Sequence, residues 1–251
     1  PLYAAGDRER HGLAIFAGRG EMPGLGGTEI WTGPGGPVGC VRHFFIRTAA
    51  FERQGLYQEN GRDFPDNDER FAFFSRASLA LLKHLSFRPD VVHLNDWQTA
   101  LVSVYLKIHH LDDEFFSRTG TVLSIHNMAY QGIFERVRWR VLNLPDNLFR
   151  PDALEFYGKI NFLKGGMVFS DMLSTVSPRY AREIQTPSGG CGMDGVLQSR
   201  RDTLVGVLNG IDYAEWNPSE GSGAFPPYSA DRPENKEEAK KILRQKFGLS
   251  T

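Results

Sequence analysis

The chain has 251 residues, of which 41% are hydrophobic and 24% charged, and its formal net charge at pH 7 is −1. This composition is ordinary for a globular α/β protein, and the near-neutral charge gives no case for nucleic acid or an anionic membrane as a partner. No apolar stretch reaches the length that spans a bilayer. Cys40 and Cys191 have neither metal-ligand nor disulfide-framework spacing, so we expect no metal site.

The first predicted elements follow a Gly/Pro-rich segment, residues 1–40. Residues 41–46 favour a strand. A helix is predicted from Asp66, where Glu69 three residues later would complete a capping box. Pro89 prevents this helix from continuing.

A strand, a helix and a second strand are predicted next, at residues 90–94, 98–110 and 122–125. Two strand-length apolar runs separated by a helical pattern within about 35 residues fit a βαβ unit. The fold class is therefore α/β, with a parallel sheet and flanking helices.

The second half of the chain predicts a helix over residues 154–169, a strand over 172–176 and another strand over 204–208. Ser177-Pro178 begins a helix, because serine is a good N-cap and proline suits the first turn. Gly165-Gly166 lies inside the first of these helices, where glycine costs about 1 kcal/mol, and indicates close helix–sheet packing.

Composition divides the chain into three parts. Residues 1–40 are a Gly/Pro-rich segment of the same domain as residues 41–220, which form the main α/β domain. Residues 221–251 begin as a polar linker and end in an amphipathic helix with Gly248 as its C-cap residue.

Polar side chains follow two of the predicted strands, in His93-Leu94-Asn95-Asp96-Trp97 and in His126-Asn127. In an open α/β sheet, loops at the carboxyl ends of parallel strands line the ligand crevice. These loops therefore predict a site for a hydroxylated ligand.

Each of these residues also has a structural interpretation. His93 could be buried and bonded to backbone, and Asp96 could cap the following helix. The His-x-x-Asp spacing could supply two metal ligands, but no third ligand is suggested nearby. Trp97 could offer a face to a sugar ring or belong to the core. Asn209-Gly210 could be a type I′ or similar turn or present a ligand-binding amide.

HLNDWQTAL, SIHNMAYQGIF and VLNGIDYAEWNP resemble the amino-terminal half of bacterial glycogen synthase and plant starch synthase. These are retaining glucosyltransferases of the GT-B fold, with two facing Rossmann-like domains. The resemblance covers residues 41–249 and implies that the chain is one incomplete half, a Rossmann-like parallel sheet with flanking helices. Asn95 departs from the family, which has histidine at that position.

The resemblance also implies roles for particular residues. His126 is placed beside the anomeric centre and Asp96 at the glucose hydroxyls, as the catalytic pair. The residues implied in substrate binding are Asn127, Asn209, Tyr57 and Trp97.

The implied reaction transfers glucose from ADP-glucose to the nonreducing end of an α-1,4-glucan, without a cofactor. The sequence does not distinguish ADP-glucose from UDP-glucose as the donor. We expect the protein in the bacterial cytoplasm, with the plastid as the alternative. The family's Lys-x-Gly-Gly-Leu loop is not found, since residues 24–27 have glycines without the lysine. We expect the chain to be a fragment that lacks this loop and the carboxyl-terminal domain, and to be inactive alone.

Two alternative functions make different demands on the sequence. A non-catalytic glucan-binding or regulatory remnant of the same family would keep the sugar site without turnover. A nicotinamide-dependent oxidoreductase would need a strand followed by Gly-x-Gly-x-x-Gly at a helix start, and no segment satisfies this requirement.

Overall fold

The structure is a computed structural model that describes residues 1–2, 12–17, 27–33, 41–219 and 225–249. The chain divides into two compact units, residues 1–207 and residues 208–251. The first unit thus ends before the linker that composition predicts from residue 221. The division into residues 1–40, 41–220 and 221–251 stays a prediction.

The helices and strands of the described residues are numbered here in chain order. The strands are β1 (Ala14–Ala17), β2 (Glu29–Gly33), β3 (His43–Arg47), β4 (Gln58–Glu59), β5 (Arg62–Asp63), β6 (Val91–Asn95), β7 (Gly120–Ile125), β8 (Ile133–Glu135), β9 (Glu155–Phe156), β10 (Lys159–Asn161), β11 (Met172–Thr175) and β12 (Leu204–Gly206). The helices are α1 (Asn67–His84), α2 (Asp96–His109), α3 (Phe162–Phe169), α4 (Pro178–Glu183), α5 (Asp194–Ser199), α6 (Tyr213–Trp216) and α7 (Glu234–Lys246).

A four-stranded parallel sheet with the order β12-β11-β7-β6 organises the first unit. Leu94, Leu123, Leu173 and Leu204 occupy adjacent register positions across all four strands, and each is buried. Alternate residues of a strand point to the same face, so this row of leucines defines the face that the core covers. The predicted parallel α/β sheet is confirmed.

Helix α3 packs closely against α2 and β7 because Gly166 has no side chain. A Cβ atom at Gly166 would lie 2.6 Å from the Cβ of Ala100 and 2.9 Å from the Cδ2 of Leu123. The close helix–sheet packing predicted from the paired glycines is confirmed. Lys164 in the same helix is buried, and its Nζ donates hydrogen bonds to the carbonyls of Pro151 and Glu155. Burial lowers the pKa of Lys164.

Three smaller antiparallel sheets surround this framework, with the orders β1-β2-β3, β8-β10-β9 and β4-β5. The first of them packs against α1 through a cluster that includes Ile30, Ile46 and Leu81. In the β4-β5 hairpin, Asn60 and Gly61 form the two-residue loop with φ values of 52° and 75°. Positive φ at both positions is what a type I′ turn requires, so Asn60 and Gly61 fit the hairpin loop.

The helix predicted over residues 154–169 is wrong in its first half. Residues 155–161 form the β9-β10 hairpin, in which Tyr157 and Gly158 have positive φ, and α3 begins only at Phe162. The Oδ1 of Asn161 accepts a hydrogen bond from the Lys164 N–H at 2.9 Å and caps the helix. A short apolar run does not distinguish a strand from a buried helix by its periodicity.

The capping box predicted at Asp66 is also wrong. Asp66 occupies the N-cap position of α1 without a side-chain cap bond, and its carboxylate accepts hydrogen bonds from Arg53 at 2.9 and 2.6 Å. Burial alone would raise the pKa of Asp66, but the bonds and charge of Arg53 outweigh it and hold the pKa below its usual value. The predicted Ser177 cap is confirmed, because its Oγ accepts the Tyr180 N–H at 2.9 Å.

The second unit contains α6 and α7. The predicted terminal helix is confirmed as α7, and Gly248 follows it with φ 62°, as expected for a C-cap glycine. Residues 24–26, 34–40 and 220–224, which include parts of the glycine-rich segments and of the predicted linker, lie outside the described residues. None of the described helices combines the length and the apolar character that crossing a membrane requires.

Candidate functional site

Asp96 and His126 meet at the carboxyl edge of the parallel sheet. Asp96 directly follows β6, and His126 directly follows the neighbouring strand β7. The Oδ1 of Asp96 accepts the backbone N–H of His126 at 2.8 Å, and its Oδ2 lies 2.9 Å from His126 Nδ1. The structure therefore brings together the two residues predicted as the catalytic pair.

Asp96 reaches His126 from a left-handed backbone conformation, with φ 57°. This conformation costs a non-glycine residue about 1–2 kcal/mol, and aspartate is among the residues that tolerate it best. The helix cap expected as an alternative role for Asp96 is not formed, since Asn95 holds the N-cap position of α2. The carboxylate is instead committed to His126.

An open cavity of about 540 Å³ lies beside this pair in the first unit. Its lining includes the predicted residues Tyr57, Asp96, Trp97 and Asn127. His126 is not among the lining residues, but it is hydrogen-bonded to Asp96, which is. The His126 side chain is 46% exposed. This volume lies within the range of small-molecule sites.

The aromatic wall of the cavity belongs partly to the core. Trp97 is only 7% exposed, and its ring makes an edge contact with Phe71 at a centroid distance of 4.8 Å. The half-buried ring of Tyr57 lies 6.3 Å from that of Trp97. Trp97 is therefore a core residue that also lines the cavity, and its contact with a sugar ring stays a prediction.

Buried polar groups hold the segment that carries Tyr57. Asn67 donates from Nδ2 to the carbonyl of Tyr57 at 2.8 Å and accepts from Arg70 at 2.7 Å. Arg70 also donates to the carbonyl of Leu56 at 3.0 Å. Asn67 also lines the cavity, and both of these bonds support the cavity wall.

Asn127 and Tyr130 form the exposed rim of the cavity on the β7 side. The Oδ1 of Asn127 accepts the N–H of Ala129 at 2.9 Å, and Tyr130 is 62% exposed. Tyr130 was not among the residues predicted from the sequence. Its position between His126 and Gly132, in a loop that follows a strand, was the available signal.

His93 was interpreted from the sequence as a buried histidine bonded to backbone or as a metal ligand. It is exposed, and its Nε2 lies 2.6 Å from Ser124 Oγ, so the prediction of a buried histidine bonded to backbone is wrong. In the described part of the chain, no three His, Cys, Asp or Glu side chains are grouped closely enough to hold a metal ion.

Asn209 falls in the second compact unit and is exposed there. Neither Asn209 nor Gly210 has a positive φ, so the type I′ turn is wrong. The role of Asn209 in binding a sugar stays a prediction.

A parallel α/β sheet with a polar, aromatic-walled cavity at its carboxyl edge is the arrangement of a Rossmann-like domain that binds its ligand at that edge. The starch synthase catalytic domain family matches residues 27–199. The chain belongs to this family.

Individual relatives agree with this assignment. The glycogen synthase of Geotalea daltonii is 47% identical over 99% of this chain and 52% of its own length. The glycogen synthase of Thermotoga maritima is 52% identical over 74% of this chain and 38% of its own. The catalytic domain of starch synthase IV from Arabidopsis thaliana, solved with bound ADP and acarbose, has a TM-score of 0.72 at 32% identity over 89% of this chain and 45% of that one. The chain thus spans about half the length of the curated relative that it matches almost throughout.

Proposed function

We propose that this chain is the sugar-binding half of a glucosyltransferase. The whole protein would transfer glucose from ADP-glucose to the nonreducing end of an α-1,4-glucan with retention of configuration. The observation that carries the proposal is the hydrogen-bonded Asp96–His126 pair beside an open cavity of about 540 Å³. The glycogen synthase relatives and the Arabidopsis domain with ADP and acarbose support the same reaction.

Each side chain of the pair has a defined part in the proposal. Asp96 accepts a hydrogen bond from His126 Nδ1. In the neutral imidazole, Nε2 is then the acceptor for a sugar hydroxyl. Asn127 adds an amide at the rim, and Tyr57 and Tyr130 add aromatic surface for the apolar faces of glucose. A role for Asn209 in binding the donor glucose is implied by the family resemblance alone and stays a prediction.

The family resemblance implies how configuration is retained, and the hydrogen bonds of Asp96 agree with it. Retaining hydrolases use one carboxylate as a nucleophile, about 5 Å from a second carboxyl group. Both oxygens of Asp96 already accept hydrogen bonds from His126, which reduces their nucleophilicity. We propose front-face transfer, as the family resemblance implies: the acceptor oxygen bonds to the anomeric carbon on the side from which the diphosphate leaves, and the acceptor's hydroxyl proton passes to the departing phosphate oxygen.

We expect the 251-residue chain to bind glucan without elongating it. Charge that develops on a leaving diphosphate needs preorganised cationic or amide donors. The family resemblance places those donors in a second, carboxyl-terminal domain. The bacterial cytoplasm is the location that we propose for the whole protein.

Titration of the chain with maltoheptaose, followed by calorimetry, tests the binding site. We expect His126→Ala to weaken binding about tenfold, which corresponds to about 1.4 kcal/mol. His109→Ala is the matched control, because His109 lies at the far end of α2 and bonds the carbonyl of Asn143. The site assignment fails if the wild-type chain binds no maltooligosaccharide, or if both substitutions have equal effects.

Incorporation of labelled glucose from ADP-glucose tests the chemistry, with the Thermotoga maritima glycogen synthase as the positive control. Elongation by the chain alone at the rate of this control would contradict its expected inactivity. Adding the carboxyl-terminal half of the Geotalea daltonii relative distinguishes the catalytic proposal from a non-catalytic remnant. Restored elongation would support the former, and binding that never leads to turnover would favour the latter.

A further inference from the structure

A pair of buried amide side chains, Gln131 and Asn161, lies beneath the loop that follows β7. Gln131 is 6% exposed and Asn161 is fully buried. The Nδ2 of Asn161 donates to the Oε1 of Gln131 at 2.6 Å. The Nε2 of Gln131 donates to the carbonyls of Met128 and Cys191 at 3.0 and 3.1 Å.

The two amides connect three separate segments of the chain. Gln131 belongs to the loop after β7, Cys191 to the segment before α5, and Asn161 to the start of α3, where its Oδ1 caps the helix. Buried polar groups are costly unless they are hydrogen-bonded. Because the donors of one amide match the acceptors of the next, a shift of any one segment would break a buried bond.

This network holds the rim of the cavity in place, and Gln131 itself is among the residues that line the cavity. Its bond to the Met128 carbonyl holds the peptide that separates Asn127 from Tyr130, the two rim side chains. The N–H groups of Phe162 and Leu163 at the start of α3 donate to the carbonyls of Gly132 and Gln131, both at 3.0 Å. The loop is therefore tied to the amino terminus of α3 at consecutive residues.

We infer that Gln131 and Asn161 are positioning residues, which hold Asn127 and Tyr130 where a glucan would meet them. Neither amide bears directly on the Asp96–His126 pair. The effect on glucan affinity rests on the proposed function, whereas the effect on the shape of the rim does not.

Two substitutions separate positioning from general stability. Gln131→Met keeps the length of the side chain but removes both donors and the acceptor. Asn161→Asp keeps the oxygen that caps α3 and removes only the N–H that Gln131 accepts. In that variant the Gln131 amide must reverse to donate to the introduced carboxylate, and its oxygen would then oppose the carbonyls of Met128 and Cys191. Tyr105→Phe is the control, because it deletes a buried hydrogen bond to the Leu142 carbonyl outside the cavity.

Two-dimensional ¹H–¹⁵N NMR of the 251-residue chain gives a readout that needs no ligand. We expect both amide variants to shift or broaden the backbone signals of Asn127, Met128 and Tyr130, while Tyr105→Phe leaves them in place. Maltoheptaose affinity should fall at least tenfold in the amide variants and stay within twofold of wild type in the control.

Unchanged rim signals in a folded amide variant would overturn the inference, whatever happens to affinity. Displaced rim signals with wild-type affinity would overturn the link to the ligand. If Gln131→Met does not fold, the rim signals of Asn161→Asp test the inference, because this variant retains the oxygen that caps α3. If the wild-type chain binds no maltooligosaccharide, the proposed function fails, and the NMR signals still decide whether the amides position the rim.

Discussion

Asp96 binds His126 through both of its carboxylate oxygens, one to the backbone N–H at 2.8 Å and one to Nδ1 at 2.9 Å. A carboxylate only accepts hydrogen bonds, so the second contact requires a hydrogen on Nδ1. In the neutral ring, Nε2 is then the acceptor. The pair thus fixes both the orientation of the imidazole and the nitrogen that remains for a ligand.

Asp96→Asn should reverse the tautomer of His126. The amide oxygen can still accept the backbone N–H, but its NH₂ group then faces Nδ1 and must donate to it. The ring hydrogen moves to Nε2, which becomes a donor. Asparagine tolerates the positive φ of this position, so we expect stability to change by less than about 1 kcal/mol. ¹⁵N NMR of the imidazole at high pH reports the tautomer directly, and an unchanged ring pattern would refute this prediction.

Gly132→Ala should destabilise the first unit strongly. Gly132 has φ 63°, and a Cβ there would lie 2.5 Å from Cε3 of Trp97. The left-handed conformation and the overpacking together predict a loss of about 2–5 kcal/mol. Gly61→Ala is the control, because Gly61 has φ 75° with open space around it, and should lose about 1–2 kcal/mol. Urea unfolding measures both, and equal losses would contradict the contact with Trp97.

Gly166→Ala and Gly195→Ala should change stability in opposite directions. The added methyl group at Gly166 meets Ala100 and Leu123 between α3, α2 and β7, so overpacking should cost about 1–3 kcal/mol. Gly195 lies in α5 with nothing within 4 Å of its Cβ position, so alanine there should stabilise by about 0.5 kcal/mol. Denaturant midpoints decide the two signs. A neutral Gly166→Ala would show that the helix can move away from the sheet.

Asp113 should contribute stability that depends on pH. A hydrogen bond from Lys83 is the main cause that lowers the pKa of Asp113 from 3.8 to about 2; burial opposes it, and His110 adds a further bond. Because the folded pKa lies below the unfolded one, the contribution is complete above pH 3.8 and is lost as pH falls through about 2.

Asp113→Asn should therefore lower the free energy of unfolding at pH 6 and have a smaller effect at pH 3. The pair is partly exposed, so we expect a difference under about 1 kcal/mol. In a Lys83→Met background, the effect of Asp113→Asn on the free energy of unfolding should lose most of this pH dependence. A constant Asp113→Asn effect between pH 6 and pH 3 would exclude the pairing as its cause.

The central βαβ unit was predictable because its signals are local. The apolar runs that became β6, β7 and β11 are bounded by polar or turn residues, and Pro89 ends the preceding helix pattern. The same pattern placed Asp96 and His126 in one predicted site, since loops at the carboxyl ends of parallel strands line the same crevice, and the family resemblance then selected them as a pair.

The errors arose where contacts distant in sequence compete with local preference. Asp66 matched a capping pattern, yet Arg53 engages its carboxylate. Residues 155–161 carried apolar side chains compatible with a helix, but pairing with β8 made them a hairpin. Gln131 and Asn161 drew no attention, because an amide is informative only when its burial and its partners are known.

The sequence alone determined the four strands of the parallel sheet in chain order, the residues at their carboxyl ends and the family to which these motifs point. The tertiary structure decided which polar groups meet: the two hydrogen bonds between Asp96 and His126, the cavity that has Trp97 in its wall, and the amide pair beneath its rim. Local preferences act over a few residues and can be read along the chain. Hydrogen bonds between buried groups depend on ångström-scale distances that exist only after the sheet and helices have packed.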